Sequence, residues 1–287
     1  MKLARIFVGL LPLLPLLAAA QAIGTLTLKD APVRLIRGTT ILQAPEGMRL
    51  RTGDILETAD KGFAQLELND GKIIALGSST RLLILGRGSQ EGELVILTGW
   101  LKGEASACTA PCLYASPRLA AASKGGTVLL HSTPESSEAY FESGAGTVSQ
   151  VNSAGGKTSP LPAKQGQFFA RRAGKNVVPA ARPDAAFLEA MPVPFRDTLP
   201  SRLARFAAKA VEPKVDREVN YADVEPWLKI GVAWRRGFVE RFRSRLNDPE
   251  FRRAIDAHMS SHPEWDPILH PEKYKPDTAE STAPRGR

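Results

Sequence analysis

Gly53-Asp54-Ile55-Leu56-Glu57-Thr58 is followed, after a short polar link, by Phe63-Ala64-Gln65-Leu66-Glu67-Leu68 and then by Asn69-Asp70-Gly71-Lys72-Ile73-Ile74-Ala75-Leu76. In the middle run Phe63, Gln65 and Glu67 alternate with Ala64, Leu66 and Leu68, the two-residue period of a strand. Asn69-Asp70-Gly71 places residues that tolerate positive φ where the chain must reverse. The stretch predicts strand, tight turn, strand, and it holds nothing that looks catalytic. Asp54 and Asp70 are the residue type a glycosidase pairs. Both lie in turn contexts, where aspartate serves backbone hydrogen bonding.

The same style extends from Thr25 to about Arg172. Short runs rich in Val, Ile, Leu and Thr, such as Val33–Ile36, Arg81–Leu85, Glu93–Leu97, Thr127–His131 and Glu138–Glu142, are separated by Gly, Asn, Asp and Ser. Such a series predicts a mainly β domain over 25–172, and periodicity alone does not choose between sandwich, barrel and solenoid. Residues 173–200 are rich in Ala, Pro, Arg and Lys, and predict an extended connector with one short helix at Ala185–Ala190. A C-terminal α-helical region follows over 201–275. Val224, Leu228 and Val232 recur at helical spacing, as do Phe238 and Phe242. Asp248-Pro249 is a helix start, with aspartate as cap and proline at the first helical position. Residues 276–287 are polar and predict a disordered tail.

The N-terminus has the layout of an export signal. Lys2 and Arg5 precede an apolar run over Ile6–Leu17, and Ala20-Gln21-Ala22 offers a small-x-small cleavage pattern, so residues 1–22 are expected to be removed after Ala22 and the protein to reside in the periplasm. The apolar run is shorter than the roughly 20 residues that span a bilayer, and the mature chain is not expected to be integral to the membrane. The formal charge is +8, of which Lys2 and Arg5 carry two units. A basic balance outside the cytoplasm favours anionic partners, and no nucleic-acid motif is present. The cysteines, Cys108 and Cys112, are spaced C-x-x-x-C. In that compartment they are expected to form a disulfide clip, given a turn at Thr109-Ala110-Pro111, because redox sites use C-x-x-C at a helix start.

Candidate sites are few. His258 and His262, four apart, would share one helix face, the spacing of zinc ligands, but no glutamate of a hydrolase motif accompanies them and Pro263 ends the helix. His131, Ser132 and Asp54 could be imagined as a triad, yet no strained nucleophile turn surrounds the serine. Trp227, Trp234, Trp265, Phe238, Phe242 and Phe251 are expected to pack helices rather than to form a ligand platform. The strongest partner-binding candidates are Arg235, Arg236, Arg241, Arg243, Arg245, Arg252 and Arg253, which would hold an anionic partner through guanidinium contacts or else form an ordinary solvated helix face. No catalytic residue, cofactor or metal is expected.

Gly53-Asp54-x-x-x-Thr58, Asp70-Gly71-x-Ile73-x-x-Leu76, Ser79-Thr80-x-Leu82 and Gly99 together resemble the FecR-type periplasmic domain. The likeness continues less specifically through Ser116-Pro117-x-x-x-Ala121, Gly126-Thr127-Val128, Gly144 to Val151 and Ala163-x-Gln165-Gly166-Gln167-Phe168, covering about residues 33–170. It implies a β-solenoid-like or sandwich-like domain that presents surface rather than catalyses. The best-known members join such a domain to a cytoplasmic anti-sigma segment through a membrane helix. The present sequence departs from that plan, with neither part in evidence, so that regulatory role is not expected. The expectation is a non-enzymatic exported interaction or scaffold module of the cell envelope, with an envelope protein or an anionic envelope polymer as partner. The alternative is a module binding peptidoglycan or another polysaccharide, or, third, an enzyme whose site one sequence does not reveal.

Overall fold

Alternation of apolar and polar side chains builds two antiparallel sheets whose inner faces meet. The computed structural model describes residues 21–86, 89, 93–206 and 210–274. All but the last two residues of the expected leader, and the expected tail from 276, lie outside these. The first sheet runs, in spatial order, Gly24–Lys29, Ala64–Leu68, Ile73–Leu76, the second half of the long strand Leu94–Ala105, Gly126–Ser132, Ser136–Phe141, Phe168–Arg172 and Val178–Ala180. The second runs Lys214–Glu218, Thr40–Ala44, Val33–Arg37, Ile55–Thr58, Arg81–Ile84, the first half of Leu94–Ala105, Cys112–Ala115, Leu119–Ser123, Gly146–Gln150 and Leu161–Ala163. Only the pairing of Leu94–Ala105 with Cys112–Ala115 is parallel among these.

Leu94–Ala105 belongs to both sheets and changes from one to the other at Gly99. Before it Leu94 and Ile96 point into the inter-sheet core, and beyond it Leu101 does, so the parity of the strand flips there. Gly99 has φ +91°, and a Cβ would sit 2.5 Å from the Thr80 Cα. Only glycine meets both demands. The opening segment also forms as the sequence predicts. Ala64–Leu68 and Ile73–Leu76 pair as a hairpin, and Gly71 takes φ +86° in its turn.

Among the described residues, three apolar clusters fill the molecule. One lies between the sheets and includes Leu35, Leu56, Leu66, Leu82 and Phe141. A second covers the outer face of the second sheet, where Ile36, Ile55, Leu83 and Val95 meet Trp227, Trp234, Phe242, Phe251 and Trp265 from the helices. A third covers the outer face of the first sheet, where Phe63, Trp100 and Phe168 meet Phe187, Phe195 and Leu199. Mainly antiparallel β structure followed by a helical region is therefore the observed class.

Residues 173–200 depart from an extended connector. Val178–Ala180 adds a strand to the first sheet, and the helix Ala185–Ala190 buries Phe187. The segment then crosses the sheet as a strap. Lys102, almost without solvent exposure, donates from Nζ to the carbonyls of Phe195 and Asp197 at 2.8 and 2.9 Å, and pairs with Glu104 and Glu142 at 3.1 and 3.3 Å. Glu67 accepts from Ser201 Oγ and from the Arg202 and Leu203 amides, while Gln65 donates to the Pro200 carbonyl at 2.9 Å. Burial pushes the Glu67 carboxyl up, but those bonds, with Thr27 and Gln65, outweigh it and hold it below the ordinary glutamate value. Alternation in the sequence marks Gln65 and Glu67 as facing away from the inter-sheet core. It gives no sign that chain from beyond residue 194 covers them.

The helical region also corrects its forecast. Among the described residues of the stretch 199–210, Leu203–Phe206 forms a 3-10 turn. Lys214–Glu218 is an edge strand against Thr40–Ala44. The helical spacing read from Val224 to Phe242 is divided among Tyr221–Leu228, Val232–Arg235 and Phe238–Phe242, with Gly231 and Gly237 at the breaks, where glycine weakens a helix. Asp248 caps Pro249–Ala257 by accepting from the Glu250 and Phe251 amides, as predicted.

Cys108 and Cys112 are disulfide-bonded with their Cα atoms 5.9 Å apart. The loop they close is so short that chain entropy gives the bond only about 2 kcal/mol. The Cys108→Ser, Cys112→Ser double variant is expected to lose about that much in urea unfolding. A loss of several times more would assign the bond a role in packing beyond its loop.

Candidate interaction site at the Gly53 turn

Hydrogen bonding by Asp54 sets the local geometry at this turn. Its carboxylate accepts the Arg51 amide at 2.9 Å and a two-pronged contact from Arg37, Nε at 2.8 Å and Nη2 at 2.7 Å. Gly53 adopts φ +86° in open space, so the backbone conformation alone calls for glycine here. Asp54 is fully buried and ties two strands together, which is more than the turn role read from the sequence.

Arg241 reaches this turn from the helix Phe238–Phe242. Its guanidinium donates to the carbonyls of Ile36, Gly38 and Gly53 at 2.7 to 2.9 Å and lies 5.0 Å from the Phe242 ring centre. Burial pushes it down to about 10, against the opposing pull of Asp54, so it stays cationic at neutral pH. Arg37, Gly38, Arg51, Thr52, Gly53, Asp54 and Arg241 line a cavity of about 280 Å³. Arg37 and Arg51 escaped the sequence reading because each lies in β text outside any long run of charge. The available signal was their placement beside Gly38 and Gly53.

The other predicted arginines divide between two roles. Arg235 is buried, donating to the Leu228 and Ser261 carbonyls at 2.6 and 2.8 Å and pairing with Glu264 at 2.8 Å. Arg245 donates to the Val219 carbonyl at 2.9 Å and pairs with Asp248 at 2.7 Å. Both act as internal clips. Arg236, Arg243, Arg252 and Arg253 are exposed, so the helical spacing of charges does not translate into one continuous face of seven.

The remaining candidates resolve by geometry. His131 stacks on Trp100, ring centres 4.0 Å apart, and its Nδ1 lies 2.8 Å from Glu138. Ser132, its strand neighbour, points to the opposite side and donates to the Leu97 carbonyl, while Asp54 is held by Arg37. These three are not brought together. His258 and His262 do not share a helix face, because the helix ends at Ala257. Instead their rings pack on Tyr221, with centres 5.2 and 5.9 Å away. Trp227, Trp234, Trp265, Phe238, Phe242 and Phe251 are all buried.

Asp223 joins the edge strand to the helices. It pairs with Arg34 at 3.0 Å and Arg217 at 2.6 Å and completes a capping box with Asn220. Burial pushes its carboxyl up, but Arg217, the Asn220 amide and Arg34 outweigh this and hold it below the ordinary aspartate value. A depressed folded value means that its contribution is complete above the unfolded value, about 3.9, and is lost as pH falls through the lower folded one. Chemical unfolding from pH 7 to 2 is expected to show wild-type stability falling in that acid window. Asp223→Asn should be less stable at pH 7 and show a shallower fall. Parallel curves would remove Asp223 from the acid response.

No protein family matches the chain, and no curated protein is significantly similar in sequence. Among solved structures, two crystal structures of a candidate anti-sigma factor from Parabacteroides distasonis are weakly similar, at 11% and 12% identity and a TM-score of 0.39 each. Each alignment covers 47% of this chain and 63% or 64% of the other, so the chain spans less than two thirds of those proteins. At that level the likeness establishes neither fold nor function. Among the described residues, no helix is long and apolar enough to cross a membrane.

Proposed function

We propose that the chain is a non-enzymatic interaction module of the cell envelope, exported to the periplasm and related in plan to the FecR-type domain. It binds an envelope protein that offers acidic groups. The observation that supports this most directly is how the buried charges are used. Asp54, Glu67, Lys72, Lys102, Asp223 and Arg235 each hold one segment of this chain to another. What remains for a partner is the exposed cationic surface and the Gly53 cavity.

The exposed arginines provide the test. A chain carrying Arg236→Glu, Arg243→Glu, Arg252→Glu and Arg253→Glu keeps the clips made by Arg235, Arg241 and Arg245. It loses the longer bonds of Arg252 to the Leu269 carbonyl and of Arg253 to the Pro249 carbonyl. A melting temperature close to that of the native chain is the check that it is folded. Cross-linking of the exported protein in cells should capture a defined envelope protein with the native chain and at least tenfold less of it with the variant. Equal capture by both would show these arginines to be solvated surface only. Capture of nothing but the chain itself would overturn the reading.

A further inference from the structure

We propose that the cavity at the Gly53 turn is a subsite for a phosphate monoester dianion, a role that rests on the interaction-module reading and names a chemical group its partner carries. Arg37, Arg51 and Arg241 line the cavity together with Asp54, three cationic residues against one carboxylate. The surplus of two positive charges matches a monoester above its second pKa near 6. A carboxylate would neutralise only half of it.

A guanidinium carries five N–H groups. Arg37 spends three, two on Asp54 and one on the Arg49 carbonyl. Arg241 spends three on backbone carbonyls. Each keeps two, on a plane already fixed by the bonds it makes, so little ordering cost remains when an anion arrives. The guanidinium of Arg51 makes no hydrogen bond or ion pair among the described residues. Its two-pronged face suits an oxyanion. Asp54 does not compete, because its oxygens are taken by Arg37 and the Arg51 amide. Arg241 is mostly desolvated, and no carboxylate touches its guanidinium among the described residues. It therefore gains more from an incoming anion than a solvated arginine would.

The ordinary alternative is that Arg51 is a solvated surface residue, and titration separates the two. The full-length mature chain is titrated at constant ionic strength and pH 7.5 with inorganic phosphate, glycerol phosphate as a monoester, and acetate as a carboxylate. Binding is read by calorimetry and by the shift in melting temperature. Saturable binding of both phosphates is expected, with acetate at least tenfold weaker and with affinity falling as pH drops through about 6. Arg51→Ala and Arg51→Gln remove no hydrogen bond or ion pair of the side chain among the described residues, and each should weaken phosphate binding at least tenfold. Arg51→Gln, which keeps most of the stem, should leave the melting temperature without ligand unchanged. Absence of saturable binding, equal binding of acetate, or full binding by both variants would overturn the subsite. Phosphate binding with no partner captured in cells would keep the subsite and remove the interaction reading. Partner capture without phosphate binding would do the reverse.

Discussion

Trp227→Ala is expected to cost about 3–5 kcal/mol, the usual loss for emptying a buried tryptophan site. The indole is fully buried, in the cluster where the helices meet Ile36, Ile55, Leu83 and Val95 of the second sheet. For a folded unit of this size the melting temperature should fall by roughly 6–20 °C, at about 2–4 °C per kcal/mol. The indole N–H finds no hydrogen-bond partner among the described residues, so Trp227→Phe should cost much less. The manner of unfolding carries more information than the size of the loss. Because the cluster is built from strands and helices together, far-UV circular dichroism and tryptophan fluorescence should report one coincident urea transition in both native protein and variant. Two separate transitions, or a loss under about 1 kcal/mol, would show that the helices form a unit of their own.

Lys102→Ala is the second large effect. The ammonium sits between two carboxylates and two carbonyls, with almost no solvent contact. Removing one partner of a buried pair typically costs about 3–5 kcal/mol, because the charges left behind have lost their compensation. Here those are Glu104 and Glu142, together with the carbonyls of Phe195 and Asp197. The expected phenotype is local before it is global. The strap over residues 195–203 should loosen, and limited proteolysis should cut there at least tenfold faster than in the native chain. Lys102→Met restores most of the stem volume but not the charge, so it should release the strap as well. If both variants lose stability without faster cleavage in the strap, Lys102 acts on the sheet rather than on the segment above it.

Much of the architecture was legible from local pattern. The hairpin around Asp70-Gly71, the short helix Ala185–Ala190 and the Asp248-Pro249 helix start each follow from side-chain chemistry within a few residues, and each is observed. What sequence alone hid was long-range. Lys214–Glu218 is exposed along its whole length and reads as polar helix flank. It becomes a strand because Thr40–Ala44 offers an unpaired edge. The connector reads as a linker because its prolines and alanines give it no period, yet Phe187, Phe195 and Leu199 seat it on the first sheet. Charge runs misled in the same way. Arg235, Arg241 and Arg245 look like surface until the carbonyls they bind arrive from elsewhere in the chain. At the candidate site, Arg241 was named from its charge cluster, whereas Arg37 and Arg51 were not, because only the fold brings the three to one cavity.

The strand Leu94–Ala105 sets the order in which this molecule assembles. A chain delivered N-terminus first can close neither sheet before residue 105 emerges, since Arg81–Ile84 and Ile73–Leu76 both await that strand. The edge at Thr40 then waits for Glu218, 178 residues further on. Pairings that distant make folding slow and leave sheet edges bare meanwhile. Assembly therefore comes late and together, and any fragment ending short of Glu218 carries an open edge able to recruit a neighbour.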